Sequence, residues 1–128
     1  MDDHNSGWIY VLLNPVTTNV KIGFSTNPDE RIKTLQTGND TWLVELGRFA
    51  GTMEDEFELH NRFERYRIYH EDPDGELHRS EWFRLGRDLR RWLIQQGLLR
   101  PDELTPAWID FVNNALYYLL DIRMGGHD

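Results

Sequence analysis

Four residues of this chain carry side chains suited to phosphodiester chemistry: Tyr10, Lys21, Arg31 and Glu56. A phenol oxygen can take a proton from water, and an ammonium or guanidinium can meet phosphate charge. A carboxylate can hold a hard divalent cation. Together they are what cleavage of a phosphodiester with one metal ion needs. Singly each is ordinary. Tyr10 also reads as a packed strand tyrosine with its hydroxyl at the surface, and Lys21 as an exposed strand residue. Arg31 falls in the first turn of a helix, where the macrodipole disfavours a cation; a phosphate would relieve that, and so would Asp29 or Glu30. Glu56 is the sharpest of the four. On a helical wheel it shares the inward stripe with Leu59, His60 and Phe63, whereas Glu58 lies off it and can pair with Arg62 one turn on. A carboxylate facing a core is costly unless it is metal-bound or hydrogen-bonded to a buried partner.

These residues must be positioned by a small set of elements. Residues 8–13 alternate as a strand, with Trp8, Tyr10 and Leu12 on one face and Ile9, Val11 and Leu13 on the other. Asn14-Pro15 through Asn19 is a turn by composition, and residues 20–24 resume a strand with Lys21 and Gly23 opposite Val20, Ile22 and Phe24. That hairpin sets Tyr10 near Lys21, and a glycine within it suggests a close approach of the backbone to a ring or a phosphate. A first helix starts at Asn27-Pro28-Asp29-Glu30, with a capping residue and a proline at the first helical position, and ends at Gly38-Asn39. Residues 42–49 read as a third strand and residues 52–66 as a second helix. His70 to Arg79 reads as a polar loop around Asp72-Pro73-Asp74-Gly75, after which Glu81-Trp82-Phe83 returns to the core. From Gly86 onward the pattern is helical, first over Asp88–Gln96 and then from Thr105-Pro106 to about Arg123.

The expected fold is therefore α+β, a three-stranded antiparallel sheet flanked by helices over residues 1–85, with a helical extension over 86–128. A chain of 128 residues with 39% apolar content suffices for one compact domain. It has no cysteine, hence no disulfide and no thiolate metal site. His60, His70 and His78 are spaced for no compact zinc pattern. There is no glycine-rich phosphate loop and no serine nucleophile elbow. Without an apolar run of membrane length or a signal-peptide pattern, the expectation is a cytoplasmic protein with no membrane contact. The net charge of −8 opposes general nucleic-acid affinity, but eight arginines fall between Arg62 and Arg91. Arg62 and Arg65, with Lys33 on the first helix, are the candidate DNA-contacting residues.

In order, the motifs resemble the GIY-YIG endonuclease superfamily. Gly7-Trp8-Ile9-Tyr10 matches its first motif and Lys21-Ile22-Gly23-Phe24-Ser25 its second, in the form of a compact phage and bacterial branch that closes on Glu-Trp-Phe, here Glu81-Trp82-Phe83. Arg31 matches the helix arginine, and Glu56 to His60 the E-x-x-L-H string. The resemblance covers residues 7 to 85. Lys21 stands where most members have the second tyrosine, and Leu35 where many have a histidine. The resemblance implies a DNA endonuclease with Tyr10 as general base, Arg31 stabilising the charge that develops at phosphorus, and Glu56 holding Mg²⁺ or Mn²⁺. The alternative expectation is a weakly active or silent module of the same fold that binds DNA or a protein partner. The apolar last helix adds one more expectation, a homodimer with Trp108, Val112, Leu116 and Tyr117 near the interface.

Overall fold

The computed structural model describes residues 6–111 and 114–115. Strands β1 (Ser6–Leu13), β2 (Val20–Ser25), β3 (Val44–Thr52), β4 (Arg67–Glu71) and β5 (Leu77–Phe83) form one antiparallel sheet in the order β3-β1-β2-β5-β4. Helices α1 (Pro28–Thr37), α2 (Met53–Arg62) and α3 (Arg87–Gln95) accompany it, with a 3-10 turn at Glu64–Tyr66 and further helix over 106–111. Among the described residues no helix is long and apolar enough to cross a membrane.

Five strands replace the three expected, and the reason lies in residues 67–83. The segment read as a loop is the β4–β5 hairpin, which carries few core side chains: Tyr69, Leu77, His78 and Arg79 are all exposed. Polar contacts hold it where apolar alternation is missing. Glu64 receives Arg67 Nε at 3.0 Å, Arg79 Nη2 at 2.7 Å and the Tyr69 hydroxyl at 2.6 Å. At the turn, Asp72 Oδ1 accepts the backbone N–H of Asp74 and of Glu76, and its other oxygen meets His78 at 2.8 Å. These are the Asx-type contacts that make aspartate a turn residue.

The β1–β2 hairpin follows its sequence pattern, with Asn14 Oδ1 accepting from the N–H of Val16 and of Thr17 inside the turn. Tyr10 sits across from Gly23 and Leu12 across from Lys21. The two faces of this hairpin serve different helices. Ile9, Val11, Val20 and Ile22 join Phe63, Phe83 and the α3 residues Leu89, Trp92 and Leu93 in the main core. Tyr10, Leu12 and Leu43 form a second cluster under Ile32 and Leu35 of α1, with Trp82. Helix α1 is capped as its sequence indicates, Asn27 Oδ1 accepting from the Glu30 N–H, while Thr52 and Asp55 form a reciprocal capping box on α2.

Of the residues expected at a dimer interface, Trp108 is half exposed and stacks on Phe111 at 5.5 Å between ring centroids. Val112, Leu116 and Tyr117 lie outside the described residues.

A candidate phosphodiester-cleavage site where two strands part

Strands β2 and β5 pair only at Val20 with Phe83 and at Lys21 with Trp82. Beyond that point the β2 backbone has no strand beside it on this edge, and α2 supplies the missing partners. His60 Nε2 donates to the Ile22 carbonyl at 2.7 Å, and the Glu56 carboxylate lies near enough to the Phe24 N–H for that dipole to lower its pKa. His60 and Glu56 are one helical turn apart, so one face of α2 replaces the absent strand. His60 is buried, and that burial pushes its pKa down. With the carbonyl accepting, it is a neutral imidazole with its proton on Nε2 and a structural role.

This gap gathers the chemistry. Tyr10 is 1% exposed, and the Arg31 side chain lies close enough to its phenol to pull its pKa down. Gly23 is required beneath it, because a Cβ there would fall within the Tyr10 ring. Arg31 is exposed in the first turn of α1 and makes no ion pair among the described residues. Asp29, its expected local partner, is bound instead by Arg48 at 2.8 Å. Lys21 is 5% exposed, pairs with Glu81 at 2.7 Å and lies 5.9 Å from the centroid of the Trp82 ring. Burial and the nearby charge of Glu81 raise the pKa of Glu56, against the Phe24 N–H and Lys21, which lower it. Burial also raises the pKa of Tyr10; the nearby Arg31 guanidinium opposes this, and Glu81 and Glu56 add to it.

Tyr10, Lys21, Arg31 and Glu56 are thus brought into one electrostatic neighbourhood, from β1, β2, α1 and α2. The remaining candidates are not part of it. Arg62 and Arg65 lie beside α3, where Arg65 is paired with Asp88. Lys33 lies in a groove beside Trp42 on the outer side of α1.

Glu81 belongs to the cluster, and sequence reasoning gave it no role. The Glu81-Trp82-Phe83 string was visible, but its position beside Lys21 depends on β5, which the polar hairpin conceals. The donor set suits a hard divalent cation: two carboxylates, Glu56 and Glu81, whose mutual repulsion a cation would relieve. The one group of three metal-capable side chains within mutual reach among the described residues is Asp72, Glu76 and His78 in the β4–β5 turn, and its contacts are those of the turn itself.

No curated protein and no solved structure matches this chain. A family model does, that of the T5orf172 domain, over residues 7–95. That match corrects the likeness to the GIY-YIG superfamily, because it is to a different family model. The family is associated with nuclease-like, DNA-related function. The match takes in Tyr10, Lys21, Arg31, Glu56 and Glu81 and continues through α3, more than half of the chain, and the protein belongs to the T5orf172 domain family.

Proposed function

We propose that this protein is a divalent-metal-dependent DNA endonuclease that hydrolyses a phosphodiester at the gap between β2 and β5. The observation that carries the reading is the gathering of Arg31, Glu56 and Glu81 around the Tyr10 phenol, all within electrostatic reach of it, at the point where β2 and β5 part.

Glu56, with Glu81 beside it, would hold Mg²⁺ or Mn²⁺, which when bound supplies Lewis acidity toward the phosphate and an acidified water. The other roles fall to the protein. Tyr10 accepts the proton of the attacking water, so its oxygen must first be deprotonated; burial is the main opposition to that form, Arg31 favours it, and neutralising the two carboxylates removes the charges that add to the opposition. Arg31, exposed and without a carboxylate partner among the described residues, meets the charge developing on the phosphoryl oxygens. Lys21 holds Glu81 in place and adds positive potential. The water oxygen bonds to phosphorus, the P–O bond on the far side breaks, and the departing alkoxide takes a proton from solvent while Tyr10 returns the one it accepted.

The test is cleavage of plasmid and branched DNA with Mg²⁺ or Mn²⁺, by wild type, Glu56→Ala and Arg31→Ala. Each change should lower the rate roughly a hundred- to a thousand-fold, the size of effect seen when a charge-stabilising group is removed. Absence of cutting on every DNA form at low salt, or cutting indifferent to both changes, would overturn the reading.

A further inference from the structure

The eight arginines between Arg62 and Arg91 divide in the fold into two groups. One group is engaged. Arg65 pairs with Asp88, Arg67 and Arg79 share Glu64, and Arg90 donates to the carbonyls of Pro101, Glu103 and Leu104. The other group is Arg62, Arg84, Arg87 and Arg91, all exposed and none in an ion pair among the described residues. Among the described residues their only ring contacts are Arg84 over Tyr66 and Arg62 over Phe63.

The second group is contiguous. Arg84, Arg87 and Arg91 line a cavity of about 540 Å³ between α3 and the helical residues 106–111, where Asp110 is the one acidic side chain among the described residues. Arg91 also borders a smaller cavity with Arg62, at the α2–α3 seam. The band thus runs from the end of β5, along one face of α3, to the end of α2.

Its placement works against the local structure. Arg87 opens α3, at the positive end of the helix, and Arg87 and Arg91 are like charges one turn apart. A chain of net charge −8 has carboxylates enough to neutralise them, yet among the described residues none forms an ion pair with these four: Asp88 is held by Arg65, and Asp110 and Glu58 pair with no arginine. Guanidiniums left uncompensated in a row suit a polyanion. One turn of helix separates Arg87 and Arg91 by about 6 Å along the axis, close to two phosphate steps of about 3.4 Å measured along the duplex axis.

We propose that Arg84, Arg87, Arg91 and Arg62 form a phosphate-tracking band that holds the DNA backbone beside the cleavage site. It rests on the endonuclease reading for its choice of polyanion. Arg84 is three residues along the chain from Glu81, at most about 11 Å, so a duplex engaged at one reaches the other. The contacts are to phosphate and carry no sequence preference.

The experiment is binding of a labelled DNA duplex, without divalent metal, over a series of salt concentrations. Arg87→Gln with Arg91→Gln should weaken binding at low salt and reduce the slope of log affinity against log salt by about 2, one for each lost phosphate contact. Arg100→Gln, at an arginine paired with Asp102 and Glu103, should leave the slope unchanged. Arg87→Lys with Arg91→Lys keeps the charge and should restore it. An unchanged slope in the glutamine pair, failure of the lysine pair to restore it, or no DNA binding by wild type would overturn the band. Cleavage is scored separately. Binding with the expected slopes but no cutting by wild type would refute the endonuclease reading and support the band.

Discussion

Lys21 Nζ lies 2.7 Å from Glu81 Oε2, across the last pairing that β2 makes with β5. The lysine is buried and the glutamate partly exposed, so the pair brings an ammonium into the protein with a carboxylate at its solvent side. Removing only the carboxylate leaves that ammonium without its counter-charge. Glu81→Ala should therefore cost about 1–3 kcal/mol, below the figure for a fully buried pair because Glu81 keeps solvent contact. Adding Lys21→Met should recover part of the loss. Urea unfolding of the two variants decides it, and equal midpoints for wild type and Glu81→Ala would refute the dependence.

Gly23→Ala is expected to damage the site through Tyr10 rather than through any residue of its own. The added methyl would occupy the Tyr10 ring, so the ring must leave its place against the β2 backbone. Overpacking of this kind costs about 1–3 kcal/mol. The closeness of the phenol to Arg31 should go with it, so cleavage should fall further than the melting temperature. Wild-type cleavage by a Gly23→Ala protein would show that Tyr10 need not hold this position.

The parts of this fold that bury alternating apolar residues were legible from the sequence. The β1–β2 hairpin declares itself through Ile9, Val11, Val20 and Ile22, and α1 through its Asn27-Pro28 start. Strands β4 and β5 were not legible, because Glu64, Arg67, Arg79 and Asp72 hold them by polar contacts that leave no periodicity. The site was readable to the same extent. Glu56 could be singled out because its helix has an apolar stripe. Glu81 could not, since its partner Lys21 is sixty residues away on a strand whose neighbour was unknown.

Glu64 makes the hairpin sensitive to acid. Its hydrogen bonds from Arg67 and Tyr69 hold its pKa down to about 2. A carboxyl whose folded pKa is depressed stabilises the fold above its unfolded value, and that contribution is lost as pH falls toward the folded one. Glu64→Gln should thus lower the melting temperature at neutral pH, and the difference from wild type should shrink steadily from about pH 4.5 toward pH 2. A difference that stays constant over that range would mean that charge at Glu64 is not what holds β4 to β5.

Glu56 should behave in the opposite sense. Burial and Glu81 raise its folded pKa, so the folded protein binds the proton more tightly than the unfolded chain. Its ionisation therefore costs stability as pH rises through the ordinary glutamate range and beyond, and Glu56→Gln should melt higher than wild type near neutrality and converge with it in acid. A divalent cation reverses the balance, because it favours the carboxylate form. Mg²⁺ or Mn²⁺ at a hundred times its dissociation constant should stabilise wild type by about 2.7 kcal/mol near neutral pH and Glu56→Gln by much less. Equal stabilisation of the two proteins would place the cation elsewhere, and a Glu56→Gln protein that melts lower than wild type at neutral pH would mean that the ionised carboxylate stabilises the strand edge it caps.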